Sequence, residues 1–80
     1  MKAKVIVTLK EGVLDPQAKA IYHALHSCGF ADVKDIKLSK EIMIDLQGND
    51  EAKAQHLVQE MCEILLANTV IEDFKIEIVK

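Results

Sequence analysis

The spacing of apolar side chains switches back and forth between two and three-to-four residues along an 80-residue chain, and no other feature restricts the fold so tightly. In residues 2–10, Ala3, Val5, Val7 and Leu9 alternate with Lys2, Lys4, Thr8 and Lys10, the period of a half-buried strand. Ile6 interrupts the polar face. The next stretch is Glu11-Gly12-Val13-Leu14-Asp15-Pro16, in which Gly12 admits an unusual backbone angle, Asp15 can cap a helix and Pro16 suits its first turn. Ala18, Ile21, Tyr22, Leu25 and Cys28 then recur at helical spacing, and Gly29 fits a left-handed C-terminal cap, which predicts a helix over 16–28. Residues 33–38 and 41–47 read as two strands joined by a tight turn near Ser39-Lys40. In the second of these, Ile42, Ile44 and Leu46 point inward and Glu41, Met43, Asp45 and Gln47 outward. Gly48-Asn49-Asp50 breaks the strand and offers a cap to a longer helix over 51–67, whose stripe is Ala54, Leu57, Val58, Met61 and Leu65, flanked by Cys62 and Ile64. Phe74, Ile76 and Ile78, alternating with Asp73, Lys75, Glu77 and Val79, predict a last strand.

The resulting order, β-α-β-β-α-β, predicts one α+β domain over residues 1–80. It is the ferredoxin-like split βαβ arrangement, an antiparallel four-stranded sheet with both helices on one face. Half of the residues are apolar, enough for one core and too few for a second domain. The face without helices must be wet or paired. Ile6 and Met43, joined by Val79, are apolar residues on that face, so Ile6 and Met43 are the candidate self-association surface.

Chemistry is mostly excluded. Ten lysines against thirteen acidic residues, with no arginine, leave a net charge of -3 and no basic field for a phosphate backbone, so nucleic acid is not an expected partner. Lack of arginine also removes the fork that most carboxylate and phosphate sites use. Residues 41–46 carry no aromatic side chain on which a base could stack. Ser27 and Ser39 are the only serines and neither sits in a glycine-flanked elbow, so no catalytic residue is assigned. His23 and His26 are three apart on the first helix, a spacing that could put two imidazoles on one metal, and His56 is a possible third; metal sites use three or four converging ligands and the first helix supplies no Asp or Glu on that face, so His23 and His26 read as solvated or interfacial and no metal is expected. No cofactor is expected in the chain either. Cys28 and Cys62 form no disulfide framework and read as small core fillers in a reducing cytoplasm. Neither a signal peptide nor a membrane-spanning run is present in the pattern, so no membrane partner is expected.

Three segments together carry a resemblance: Val13-Leu14-Asp15-Pro16-Gln17, His23-Ala24-Leu25-His26-Ser27, and the run from Glu60 through Leu65-Leu66-Ala67-Asn68 to Phe74. The chain resembles, over essentially its whole length, the PurS family of small phosphoribosylformylglycinamidine (FGAM) synthase subunits. Departures are Ala18 where the family often has glycine, Ser39-Lys40-Glu41-Ile42 in the turn, and Phe74 where tyrosine is common. The resemblance implies a non-catalytic subunit, at least dimeric, that bridges the synthetase PurL and the glutaminase PurQ in purine biosynthesis. It implies that ATP and Mg are used by the complex through PurL, that PurQ hydrolyses glutamine, and that this subunit supports ammonia transfer. The alternative is an ACT-like regulatory domain, which has the same order of elements and binds an amino acid near a glycine-containing first loop; Gly12 is compatible with it.

Within that resemblance, residues 13–17 exceed what starting a helix requires. Val13 and Leu14 are apolar in a loop, and Gln17 has no role in capping. Val13, Leu14 and Gln17 are therefore candidate contacts to PurL or PurQ, with Asp15 and Pro16 shaping the loop. The competing reading is a hydrophobic staple over the helix start.

Overall fold

The first alternating run is the centre of the sheet. In the computed structural model, which describes residues 1–79, β1 (Lys2–Leu9) pairs antiparallel with β2 (Ser39–Asp45) on one side and with β3 (Glu72–Val79) on the other. The register explains why this strand is central. Val5 lies between Ile42 and Ile76, Ala3 between Ile44 and Ile78, and Val7 opposite Phe74, so one face is an aliphatic layer of cross-strand neighbours. Ala3, Val5 and Val7 are buried, while the flanking residues of β2 and β3 are half-buried.

Helix α2 (Glu51–Met61) covers this layer, with Val58 buried in one cluster with Ala3, Val5 and Val7; Ala54 is also buried. Asp50 caps its start, accepting from the Lys53 N–H at 3.1 Å. The predicted single helix over 51–67 is corrected at its end, where Cys62–Leu66 widen into a π-helical turn closed by the Ala67 N–H on the Cys62 carbonyl at 3.0 Å. Inward positions run 54, 58, 62 and then 67. The extra residue delays the last contact until Ala67 and turns Ile64 and Leu65 away from the core.

The expected four-stranded sheet is also corrected: the sheet has three strands, in the order β2-β1-β3. Residues 33–38 form no ladder, and the chain passes directly into β2 at Ser39. Two local causes are visible. Asp35 breaks the alternation, and Ser39-Lys40 supplies neither glycine nor asparagine for the positive φ angles that a two-residue hairpin needs. Among the described residues, positive φ occurs only at Gly12, Gly29 and Gly48.

Helix α1 (Pro16–Ser27) forms where expected. Gly29, at φ +98°, ends it in a Schellman motif: its N–H bonds the His26 carbonyl at 3.1 Å and the Phe30 N–H bonds that of Leu25 at 3.0 Å. The expectation that both helices lie on one sheet face fails, because α2 packs on β1 and β3 and α1 packs on no strand to a comparable extent. Consequently the molecule measures 50 × 26 × 14 Å, and its radius of gyration of 16.2 Å exceeds the about 12 Å of a compact chain of this length.

The two cysteines part company. Cys62 fills the core as expected, whereas Cys28, expected inside, is exposed at the α1 C-cap. Burial pushes the Cys62 thiol above its ordinary 9.0, and the nearby Glu63 carboxylate adds to the shift. An aromatic disulfide reagent will therefore react quickly with Cys28 and with Cys62 only on unfolding. Because the folded-state value is raised, the contribution of Cys62 to stability is complete below the unfolded-state value and is lost as pH climbs past it. Urea midpoints compared at neutral pH and above that value measure the loss.

Candidate functional site

The loop between β1 and α1 is fixed at both ends. The Lys10 N–H donates to the Ile71 carbonyl at 2.8 Å and the Val13 N–H to the Lys10 carbonyl at 3.2 Å, while Gly12 turns the chain at φ +84°. Asp15 Oδ1 accepts from the Gln17 and Ala18 N–H groups at 3.0 and 3.2 Å, and Pro16 occupies the first helical position. Asp15 and Pro16 thus start α1. Val13 is half-buried, Gln17 is exposed, and Leu14 is 69% exposed. No staple forms over the helix start, since Leu14 stands in water and Lys19 occupies the position it would have to meet.

A second loop meets the first through the Lys10–Ile71 bond. Here Asn68 is the organiser: its carbonyl accepts from the Ile71 and Glu72 N–H groups at 3.0 and 2.7 Å, its Oδ1 from the Val70 N–H at 3.2 Å, and its own N–H donates to Glu72 Oε1 at 2.7 Å. That tight arrangement holds Val70 outward, 81% exposed. Ile64 and Leu65, turned out by the π-helical turn just before, are 82% and 81% exposed. Leu14, Ile64, Leu65 and Val70 are thus exposed on three segments around the end of the sheet where β1 finishes and β3 begins: the loops on either side of the Lys10–Ile71 bond and the π-helical turn that precedes the second of them. The sequence reading placed Leu65 in the core and missed this group. A usable signal was present, because Cys62, Ile64, Leu65 and Leu66 make a stripe too wide for one helix face to bury.

On the outer sheet face, Ile6 lies opposite Glu41 and Lys75 and is half-buried, and Met43 lies opposite Lys4 and is 52% exposed. The two are diagonal neighbours across β1 and β2. Lys4 pairs with Glu41 at 3.3 Å and Lys2 with Asp45 at 4.0 Å, exposed pairs that order the face without adding much stability.

The histidines do not converge. His26 Nε2 lies 2.8 Å from the Val33 carbonyl and its ring centroid 4.4 Å from that of Tyr22; His23 meets the edge of Tyr22 at 5.5 Å; His56 contacts Glu60 at 3.1 Å. No three His, Cys, Asp or Glu side chains among the described residues are placed to hold a metal ion. No helix among them is long and apolar enough to cross a membrane. An open cleft of about 460 Å³ lies between the first loop, the start of α1 and residues 34–38. Its charges are mixed and partly paired, Lys37 with Glu11 at 3.2 Å and Lys10 with Asp73 at 3.9 Å, so it concentrates no field on a ligand.

Comparison with known proteins matches residues 2–80 to the family described as PurS: Phosphoribosylformylglycinamidine (FGAM) synthase. The FGAM synthase subunit PurS of Bacillus subtilis is 49% identical over 77 residues, covering 96% of this chain and 90% of that protein. The PurS subunit of Methanocaldococcus jannaschii is 46% identical over 79 residues, covering 99% and 95%. Among solved structures, B. subtilis PurS superposes with a TM-score of 0.88 at 48% identity, covering 99% of this chain and 98% of that one. A chain in the structure of PurLQS from Thermotoga maritima superposes with a TM-score of 0.85 at 29% identity, covering 95% and 93%.

Proposed function

This chain belongs to the PurS family of FGAM synthase subunits, and from that premise we propose that it bridges a PurL-type synthetase and a PurQ-type glutaminase without catalysing a step itself. One observation carries the bridging role: four strongly exposed aliphatic side chains, Leu14, Ile64, Leu65 and Val70, lie on the two loops joined by the Lys10–Ile71 bond and on the π-helical turn beside them. Apolar surface of this kind on ordered backbone is suited to being covered by a partner. Val13, Leu14 and Gln17 belong to the same end, so the partner-binding site is residues 13–17 together with Ile64, Leu65 and Val70. In the assembled enzyme, PurL uses ATP and Mg, PurQ hydrolyses glutamine, and this subunit helps to hold the path along which ammonia moves. The complex works in the cytoplasm. An amino-acid-binding regulatory domain gives way to this reading, because the family match covers nearly the whole chain.

The isolated chain is expected to show no glutaminase, ATPase or synthase turnover, and its addition to PurL and PurQ partners to restore glutamine-dependent FGAM synthesis. Turnover by the chain alone would overturn the proposal, as would a full glutamine-dependent rate in its absence. Self-association through Ile6 and Met43 is part of the same reading. Ile6→Glu and Met43→Glu should each lower the sedimentation mass at low micromolar concentration, since an added charge opposes burial of the face. Unchanged mass in both variants would move the contact off this face.

A further inference from the structure

The inward column of β3 begins with a charge. Phe74, Ile76 and Ile78 line the aliphatic layer, and Glu72 shares their parity, opposite Leu9 at the end of β1. Its side chain is 16% exposed, whereas the carboxylates of the ion pairs on the outer face and in the cleft are mostly exposed. A carboxylate at an inward position is costly unless its oxygens are engaged. Both are: Oε1 accepts from the Asn68 N–H at 2.7 Å, and Oε2 lies 3.8 Å from Lys40 Nζ, which reaches it across β1 from β2. The peptide unit joining Ile71 to Glu72 is also bonded at both ends, its N–H to the Asn68 carbonyl and its carbonyl to the Lys10 N–H. Asn68 and Glu72 therefore bond to each other twice, once through backbone and once through the side chain, and the same peptide unit carries the link to the first loop.

An apolar side chain would continue the column, and strand formation does not ask for a carboxylate at this place. What the carboxylate supplies is an acceptor for the Asn68 N–H and a charge facing Lys40. We propose that Glu72 is a positioning residue for assembly of the synthase: it clamps the 68–71 loop to the sheet, so that Val70 and the loop carrying Leu14 meet PurL or PurQ already in the bound arrangement. This role rests on the partner surface proposed above and assigns what holds that surface ready. A loop that must be ordered on binding gives up part of its contact energy to the ordering, and a loop clamped beforehand does not. Lys40 orients the second oxygen, but its side chain is 63% exposed and its attraction is modest. The bond between Oε1 and the Asn68 N–H, short and charge-assisted, is the stronger hold.

Two substitutions separate the acceptor from the rest of the side chain. Glu72→Leu keeps the inward column apolar and removes the acceptor, while Glu72→Gln keeps an amide oxygen for the Asn68 N–H and removes the charge. In Glu72→Leu, cooperative unfolding in urea should persist. Amide hydrogen exchange at Asn68, Val70 and Ile71 should quicken about tenfold, with the Val5 and Val7 amides as slow as in the parent. With PurL and PurQ partners, half-maximal glutamine-dependent synthesis should need about tenfold more of the Glu72→Leu subunit, and the rate at saturation should equal the parent's. Glu72→Gln should bring both exchange and half-saturation back to within about threefold of the parent. Loss of the cooperative transition in Glu72→Leu would make Glu72 a structural residue and overturn the role, as would a Glu72→Gln subunit that saturates as poorly as Glu72→Leu. Leu14→Asp and Leu65→Asp in the same assay keep the two readings apart. Impaired aspartate variants beside a parent-like Glu72→Leu would overturn the positioning role alone; parent-like half-saturation in all three would overturn the partner surface with it.

Discussion

Val58→Asp abolishes the cooperative unfolding transition of the chain. Val58 is fully buried on α2, over the layer formed by Ala3, Val5 and Val7, and no cationic or hydrogen-bonding side chain is buried with it. A carboxylate there must be either desolvated without a partner or protonated, and the cost of at least about 4 kcal/mol is a large part of what holds a small domain together. Val58→Ala should cost about 2–3 kcal/mol, the loss of two methyl groups plus a cavity. Leu57→Asp, one position along the same helix and 39% exposed, should destabilise the chain much less than Val58→Asp, because the carboxylate keeps contact with water. Urea titrations followed by far-UV circular dichroism measure all three. A Val58→Asp chain that unfolds at the parent's midpoint would show that α2 does not cover the sheet.

Leu14→Asp and Leu65→Asp have the opposite profile: stability stays near that of the parent, and assembly fails. Both side chains already stand in water in the isolated chain, so a charge costs the fold little. At the centre of an interface the same charge removes an apolar anchor and leaves a desolvated carboxylate, an effect of about 2 kcal/mol or more at a hot spot. Each variant should therefore need at least about tenfold more of this subunit to reach half-maximal glutamine-dependent synthesis with PurL and PurQ partners. Gln17→Ala removes only an exposed amide and should show a smaller defect of the same kind. Parent-like half-saturation in both aspartate variants would remove this end of the sheet as the partner surface, and an equal loss of thermal stability would reduce Leu14 and Leu65 to structural residues.

Local patterning explains which parts of this were legible. Ala3, Val5 and Val7, Ile42 and Ile44, and Phe74, Ile76 and Ile78 all face inward as their alternation requires, because a strand offers only two faces. Asp15-Pro16 and Gly29 bound α1, and Asp50 starts α2, because caps act through bonds spanning a few residues. The proposed partner surface was half legible. The loop at 13–17 shows itself as apolar residues in a turn, but Ile64 and Leu65 look like core until the π-helical turn is known. Cys28 was misplaced for a related reason: helical spacing puts it on the apolar stripe, and α1 has no sheet beneath it.

The sequence by itself determined the limits of β1, α1 and β3, the start of α2, the inward residues of the strands and the lack of a catalytic set recognisable from motifs, all properties of near neighbours along the chain. Only the tertiary structure decided that residues 33–38 leave the sheet, that α1 stands away from it, and that the end of α2 widens by one residue. Those outcomes depend on which surfaces meet across tens of residues. The hydrophobic effect that drives such meetings is non-directional, so the apolar pattern says that a face must be covered and leaves open by what.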